Sequence, residues 1–466
     1  MKNKVLHNKL AELISQIIEI IENTASNHGL PIYQETDWFS DDGRHYYRRS
    51  FRKILWQPVL NELGNIFEKL ESYSQAKNIA EEDTIFGSHL NKSVGTLFGS
   101  MKITFEVIIH RILIRLLPKN ELPKFDLEKF SNIINEIEAD FLSPTISTIE
   151  ITPLFGFRSE EHRISLANDL SIEILSEEEI SNLISSGVPM SLQNVSDDMA
   201  DVLYKYAIVR VSKLTKIFGS DDRSGKETRN QVHITNNTII SALQLFKFGT
   251  IFPVANISKN IGFFSIGSSM SSGYPRFGLR SSYLISKNEI EEFLVLWNKI
   301  YTLTPEKIPH FLEVAIRRFA DGTLRPNLED QIIDLLISAE AIFLSSSGNK
   351  YQGELRYRLA HSAALFLENE PAKQKEIFNF MKNAYDIRSK FVHGSNSEIK
   401  FPKKEGGKKM NLHDFESQTR ALMRRAIIKV FDLAYNSKET KFSINWDDYI
   451  FPNMEKASIP NPMSEI

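Results

Sequence analysis

Apolar residues recur at every third or fourth position in the first part of the chain, which is the pattern of amphipathic helices. The first such run comprises Val5, Leu6, Leu10, Leu13, Ile14, Ile17, Ile18 and Ile21. The same periodicity predicts helices at 53–75, 98–117 and 126–141. Residues 33–52 are rich in aromatic and basic side chains and are interpreted as a helix–loop junction, with a surface for nucleic-acid bases as the alternative. Residues 1–148 are therefore predicted to form a helical N-terminal domain.

Near residue 150 the helical periodicity gives way to alternation of apolar and polar residues, which predicts strands. Residues 163–167 and 170–174 alternate on either side of Asn168-Asp169, a hairpin signal. A further strand is predicted at 204–211, and the Gly- and Ser-rich stretch 262–283 suits strands and turns. Residues 149–305 are therefore predicted to be an α+β middle domain. A sensor, a substrate platform and a spacer would all have this pattern.

Helical periodicity returns after Pro305 and Pro309 and continues to residue 436. It predicts five helices, at 310–320, 328–345, 354–368, 371–393 and 412–436. Helices of this length with short connections form a bundle, so residues 306–440 are predicted to be an all-α bundle. Residues 441–466 contain three prolines and are predicted to be an extended C-terminal tail. The predicted fold class is a multidomain α+β chain with a helical N-terminal region, a middle α+β domain and a C-terminal helical bundle.

The composition excludes several functional classes. The chain of 466 residues has no cysteine, so disulfides, thiolate nucleophiles and cysteine zinc sites are excluded. The N-terminus lacks the apolar core of a signal peptide. The most apolar helical run, 98–117, carries charged side chains such as Lys102, Glu106 and Arg111, which disfavours a membrane span. We therefore expect a cytoplasmic protein without membrane association.

Charge is unevenly distributed along the chain. The formal net charge is −3, so the molecule as a whole is not a polycation. Residues 381–430, however, hold 12 Lys and Arg against 5 Asp and Glu, a net charge of +7. A solvated helix face is one explanation of this excess, and a binding surface for an anionic substrate is the other.

The stretch Tyr385-Asp386-Ile387-Arg388-Ser389-Lys390-Phe391-Val392-His393-Gly394 ends the fourth predicted helix of the bundle. Arginine stays charged and binds phosphate oxygens with its planar fork, and histidine exchanges protons near neutral pH. Five helical positions rotate His393 by about 140° from Arg388, so the two converge only if the helix ends at His393 or the arginine reaches around. A second pair, Arg356 and His361, has the same spacing. A histidine that only covers a helix face is the alternative at either place.

Four stretches of the bundle together resemble the Apea-like branch of the HEPN domains. In chain order they are LEDQIIDLLISAEAIF (328–343), ELRYRLA (354–360), YDIRSKFVHG (385–394) and TRALMRRA (419–426). The resemblance covers about the last third of the chain, and YDIRSKFVHG is its most specific part. It maps the Arg-x4-His motif of the family onto Arg388 and His393, and it leaves Arg356 and His361 outside the active site.

The resemblance implies a metal-independent endoribonuclease that needs no cofactor, with Arg388 and His393 as catalytic residues. Polar residues that could support them are Glu340, Arg358, Tyr385 and Lys390. An ordinary salt bridge or hydrogen bond within the bundle is the alternative for the first three, and helix coating for Lys390. The basic residues expected to bind RNA are Lys403, Lys404 and Arg424.

The resemblance also implies partners and a biological role. We expect RNA as the substrate, a homodimer formed through the bundle, and a phage-derived or protein trigger acting on residues 1–305. Such a protein would be a latent effector of anti-phage defence, acting by abortive infection, or part of a toxin-like system. The alternative is a non-catalytic HEPN module that dimerises or binds RNA or nucleotides in the service of a sensor or regulatory protein.

Overall fold

The computed structural model describes most of the chain. The described residues are 2–28, 32–40, 45–96, 99–118, 121–185, 199–201, 204–219, 223–265, 268–272, 283–303, 308–345, 354–393, 399–402, 408–439 and 442–450. Contacts between residues group the chain into two compact units. The first comprises Met1–Asn236 and Phe252–Tyr274, and the second comprises Asn237–Ile251 and Pro275–Ile466.

Most helices of the first unit pack around one apolar core. Those of this core are α1 (Lys4–His28), α2 (Trp56–Phe67), α3 (Glu71–Glu82), α4 (Phe105–Leu116) and α5 (Leu127–Leu142). Outside it are α6 (Glu177–Ser185) and α7 (Arg223–Phe246), the latter contributing residues to each unit. The apolar stripe predicted for α1 is buried from Leu6 to Ile21, which confirms this helix. Thr104 and Asp126 cap α4 and α5 by accepting hydrogen bonds from backbone N–H groups in the first turn.

Strands occur in the region that the sequence pattern predicted to be helical. They are β1 (Ile32–Phe39), β2 (His45–Ile54), β3 (Ser93–Thr96) and β4 (Gly99–Lys102), each pair antiparallel. The helix–loop junction predicted at 33–52 is therefore wrong, and so is the helical start predicted at 98. Aromatic residues are enriched in strands, and Asp42-Gly43, between the two aromatic runs, is a hairpin turn signal.

The middle of the chain forms an antiparallel sheet, which confirms the predicted change of pattern. Its strands are β5 (Thr145–Phe155), β7 (Arg163–Ala167), β8 (Leu170–Ile174), β10 (Tyr206–Thr215), β11 (Phe252–Pro253), β12 (Ala255–Asn260) and β13 (Ser268–Ser272), with the short β6 (Phe157–Ser159) and β9 (Met199–Asp201) outside this sheet. The strand order is β13-β12-β5-β10-β8-β7, and β11 also pairs with β5. Ala167 pairs with Leu170 across the predicted hairpin.

The N-terminal helices and this sheet share a core. Phe263 and Phe264, from the segment after β12, are buried in the same apolar cluster as α1, α4 and α5. Lys216, just after β10, donates hydrogen bonds from Nζ to three carbonyl oxygens at the end of α5. The predicted domain boundaries stay predictions, but segments on both sides of residue 148 belong to one compact unit.

A carboxyl group is buried in the centre of this sheet. Glu150 on β5 is 3% exposed and lies directly opposite Arg210 on β10. Neither oxygen of Glu150 has a hydrogen-bond partner within the described part of the chain. Burial raises the pKa of Glu150 from 4.5 to about 7, and the charge of Arg210 opposes this rise.

We expect Glu150 to make the first unit less stable as the pH rises. The folded-state pKa lies above the unfolded value, so the folded state binds more protons between about pH 4.5 and 7. The free energy of unfolding is then highest below this window and falls through it by up to about 3 kcal/mol.

Calorimetric melting of the Glu150→Gln variant at several values between about pH 5 and 8 should show a smaller fall in the free energy of unfolding than the wild type shows. Glu173→Gln, at a half-exposed position of β8, is the matched control. Identical pH profiles for wild type and Glu150→Gln would contradict this expectation.

The second unit is mainly helical. It contains β14 (Tyr283–Ile285), α8 (Ile290–Thr302), α9 (His310–Leu324), α10 (Leu328–Phe343), α11 (Leu355–Leu367), α12 (Pro371–Val392), α13 (Leu412–Asn436) and α14 (Asp447–Ile450). Helices α9 to α13 correspond to the five helices predicted from periodicity, which are confirmed. Helix α10 is central and packs against α9, α11, α12 and α13. Asn411 forms a capping box with Asp414 at the start of α13.

Residues that precede the bundle in the sequence also pack within the second unit. The Tyr283 hydroxyl donates a hydrogen bond to the Leu243 carbonyl oxygen at 2.5 Å. Lys247 pairs with Glu289 at 2.6 Å, and the Phe246 ring contacts the Phe293 ring edge-on. The segment 237–251 is therefore part of the helical unit.

The start of the predicted C-terminal tail is packed rather than extended. Phe442, Ile444 and Trp446 are buried, and a short helix, α14, follows. The Trp446 ring lies 6.1 Å from that of Phe343 on α10 and 5.8 Å from that of Phe366 on α11. These apolar contacts, which the proline content did not predict, hold residues 442–450 on the bundle. Residues 451–466 lie outside the described residues.

Candidate functional site

Helix α12 carries the predicted catalytic pair. Pro371 occupies its first turn, where a missing backbone N–H does no harm. Its buried side chains recur at helical spacing up to Ile387. The helix ends at Val392, and His393 is the C-terminal cap with φ −92° and ψ 2°, its N–H donating to the Ser389 carbonyl oxygen at 3.1 Å. The predicted helix end at His393 is confirmed, and Gly394 lies outside the described residues.

Arg388 is held by a carboxylate of the neighbouring helix. Its Nη1 lies 3.1 Å from Oε1 of Glu340 on α10. The two side chains are 25% and 26% exposed, so the pair is neither fully buried nor free in solvent. The structure therefore brings together one predicted catalytic residue and one predicted supporting residue. The contact is a salt bridge within the bundle, which was the alternative role considered for Glu340.

The surroundings of the pair shift the pKa of its carboxylate. Burial raises the pKa of Glu340, and the positive charge of Arg388 opposes the rise. The Nε–H of Arg388 is buried and has no hydrogen-bond partner among the residues that the structure describes. Glu340 therefore fixes the guanidinium through Nη1, while Nε–H keeps an unused capacity to donate a hydrogen bond.

His393 lies apart from this ion pair. Its side chain is exposed, and no described residue forms a hydrogen bond with its ring. Five helical positions separate it from Arg388, which corresponds to about 140° of rotation and about 7.5 Å along the axis. The structure thus leaves the histidine accessible at the helix end, and no hydrogen bond joins its ring to Arg388.

The other predicted residues occupy several places. Tyr385 is half-buried on α12, one turn before Arg388 and hence on the same side of the helix. Arg358 on α11 and Lys390 on α12 are also half-buried. Arg424, on α13, is close enough to Tyr283 to influence it electrostatically. Burial is the main cause that raises the pKa of Tyr283, and the positive charge of Arg424 opposes this rise. Arg424 is therefore placed beside β14. The two remaining residues, Lys403 and Lys404, lie outside the described residues.

The second Arg-x4-His pair contacts the helix that carries the first. Nη2 of Arg356 lies 2.5 Å from Oδ2 of Asp386, two positions before Arg388. The His361 ring stacks on Tyr357 with its centroid at 5.8 Å. Arg356 and Asp386 thus join α11 to α12, a link that sequence spacing did not reveal because the partners are 30 positions apart.

Two further features bear on the chemistry of the chain. Within the described ranges, no group of three His, Asp or Glu side chains is arranged to hold a metal ion. Likewise, the helices of the described residues include none long and apolar enough to cross a membrane.

Comparison with known proteins gives no relative. No protein-family model matches the chain, and no curated protein or solved structure matches it significantly. The resemblance to HEPN domains therefore rests on the residues of the bundle themselves.

Proposed function

We propose that the chain is a metal-independent endoribonuclease whose reaction is carried by Arg388 and His393. The observation that supports this most is the end of α12, where an arginine fixed by Glu340 precedes an exposed histidine. A fixed guanidinium can stabilise charge on a phosphate without first being ordered. An accessible imidazole can exchange protons with a bound substrate.

The proposed reaction uses the nucleophile that RNA itself contains. The ribose 2′-hydroxyl gives its proton to the His393 ring, and its oxygen forms a bond to the adjacent phosphorus. The bond from phosphorus to the 5′-oxygen breaks, and that oxygen takes a proton from an imidazolium. Arg388 stabilises the negative charge that grows on the non-bridging oxygens. The products are a 2′,3′-cyclic phosphate and a 5′-hydroxyl, and DNA is excluded because it lacks the 2′-hydroxyl.

A homodimer formed through the bundle is part of the proposal. Within one chain the two side chains leave α12 in directions about 140° apart. Two copies that face one cleft would supply two imidazoles, one to take and one to give a proton, as well as two guanidinium groups. We further propose, from the HEPN resemblance, that the enzyme is a latent effector of anti-phage defence or a toxin-like system, restrained until residues 1–305 meet a trigger.

A non-catalytic HEPN module is the second candidate. The ion pair between Arg388 and Glu340 favours it, since a guanidinium already paired with a carboxylate within the bundle is less available to stabilise the charge that grows on a phosphate during cleavage. In this candidate the bundle binds RNA or nucleotides, or forms dimers, without cleaving.

The test is an assay of the purified full-length chain on end-labelled structured and unstructured RNAs in the presence of EDTA, with each candidate trigger added because the enzyme is proposed to be latent. We expect cleavage with cyclic phosphate ends, and a loss of about 100-fold or more in Arg388→Ala, because the charge on the phosphate is no longer stabilised. Arg356→Ala is the matched control, since Arg356 is an arginine with the same spacing to a histidine and also has a carboxylate partner.

The outcomes separate the two candidates. Cleavage that persists in Arg388→Ala would contradict the proposed roles. RNA binding without cleavage by the wild type, across RNAs and across candidate triggers, would support the non-catalytic module instead.

A further inference from the structure

A small cleft opens between α2 and α4 in the first unit. Its volume is about 120 Å³. The apolar part of its wall consists of side chains that are almost completely buried, namely Leu60, Phe67, Ile109 and Leu113. An engineered cavity of about 150 Å³ with a similar lining binds benzene, so the cleft has the size for one small ring.

Gly64 lies in the interior of α2 and forms part of the same wall. Glycine is unfavourable inside a helix, so its presence there calls for a reason. Its backbone is not in the left-handed region, and a Cβ placed on it would meet no atom within 4 Å. Neither conformation nor close packing therefore requires a glycine. The effect of its missing side chain is that the cleft stays open.

His110, one of the lining residues, has a polar atom without a protein partner. The Nε2 atom of His110 is buried and has no hydrogen-bond partner in the described part of the chain. Burial lowers the pKa of His110, with a smaller contribution from Arg111, and both causes favour the neutral ring. A hydroxyl group can satisfy Nε2 in either tautomer, because it can both donate and accept a hydrogen bond.

The remaining lining residues carry negative charge. Glu68 and Glu106 lie at the cleft, and Glu106 accepts a hydrogen bond from the Tyr73 hydroxyl at 3.0 Å. Lys77 is 3.7 Å from Glu106 and compensates only one of the two carboxylates. Arg111 also acts on His110, so positive and negative charges both lie near the cleft. An anionic ligand would lose its hydration against the apolar wall at a high cost, whereas a neutral one would not.

We propose that this cleft is a binding site for a small neutral aromatic alcohol of the size of phenol. The ring would occupy the apolar space beside Gly64, and the hydroxyl would form a hydrogen bond with His110 Nε2. This site is separate from the residues of the proposed nuclease and does not depend on that function.

The test uses three fluorinated probes of similar size, observed by ¹⁹F NMR with the full-length protein. They are 4-fluorophenol, which has the hydroxyl, fluorobenzene, which lacks it, and 4-fluorobenzoate, which is anionic. We expect 4-fluorophenol to bind about tenfold more tightly than either of the others, because only it satisfies Nε2 without burying a charge. Equal affinity for the three probes, or no binding of 4-fluorophenol at millimolar concentration, would overturn the proposal.

Two variants locate the site. Gly64→Leu should fill the cleft and weaken binding of 4-fluorophenol by about tenfold or more, while leucine also suits a helix interior better than glycine. Asn65→Leu adds the same side chain at an exposed position of the same helix and should leave binding unchanged. His110→Phe keeps a ring but should remove the preference for 4-fluorophenol over fluorobenzene. Unchanged binding in a folded Gly64→Leu protein, checked by its melting temperature, would overturn the proposed location.

Discussion

Replacing His393 by asparagine is expected to lower the rate of RNA cleavage by about 10²–10⁴-fold, the range typical for loss of a general acid or base. The histidine is exposed at the end of α12 and forms no hydrogen bond with a described residue, so the substitution should leave the fold intact. The rate constant is measured under single-turnover conditions with end-labelled RNA, and the melting temperature of the variant is measured alongside.

The chain supplies its own control for this experiment. His361 follows Arg356 by the same five positions but stacks on Tyr357. His361→Asn should cleave RNA at close to the wild-type rate. A full loss of activity in His361→Asn together with full activity in His393→Asn would indicate that the active site lies on α11 rather than at the end of α12.

The largest effect on stability is expected from Arg420→Ala, which should lower the free energy of unfolding of the second unit by about 3–5 kcal/mol. Arg420 and Glu416 on α13 are 7% and 3% exposed, with Nη2 of the arginine 2.5 Å from Oε1 of the glutamate. Arg420 also donates hydrogen bonds to the Thr323 hydroxyl and the Gln331 side-chain oxygen. Removing the guanidinium would leave a buried carboxylate without its counter-charge and two acceptors without a donor.

Native-state hydrogen exchange of the amides in α9, α10 and α13 measures this loss within the unit concerned. Arg425→Ala is the matched control, because Arg425 lies on the same helix and pairs with Glu368 at the same 2.5 Å but is 49% exposed. An exposed ion pair contributes at most about 1 kcal/mol, so its loss should change exchange little. Similar effects of the two substitutions would show that burial does not determine the strength of these pairs.

Periodicity predicted the helices well where apolar spacing and end signals agree. Helix α12 begins at Pro371 and ends one residue before the predicted position, and α13 begins after the Asn411 cap. The hairpins β1–β2 and β3–β4 were missed, because apolar and polar residues do not alternate strictly in β1 and β2, and β3 and β4 have only 4 residues each. The grouping of 237–251 with the bundle could not be predicted either, since it depends on contacts between distant residues such as Leu243 and Tyr283.

The candidate site was predicted in part. The sequence indicated Arg388, His393 and Glu340, and the structure pairs the first with the third. It did not indicate that Arg356 contacts Asp386, because the pairing of charges on neighbouring helices depends on how the helices are rotated against each other. Nor could the sequence indicate that Arg424 lies beside Tyr283.

The grouping of residues 237–251 with the helices, and of 252–274 with the sheet, has a consequence for synthesis on the ribosome. The first unit gains its last strands, β12 and β13, only after the chain has already made a segment of the second. That segment meets its partners only later in the chain: Tyr283 for Leu243, Phe293 for Phe246 and Arg420 for Phe248. During translation, Leu243 and Phe246 therefore lack these partners for about 40 to 50 further residues, and Phe248 lacks Arg420 for about 170, an interval in which exposed apolar surface makes a nascent chain prone to aggregation.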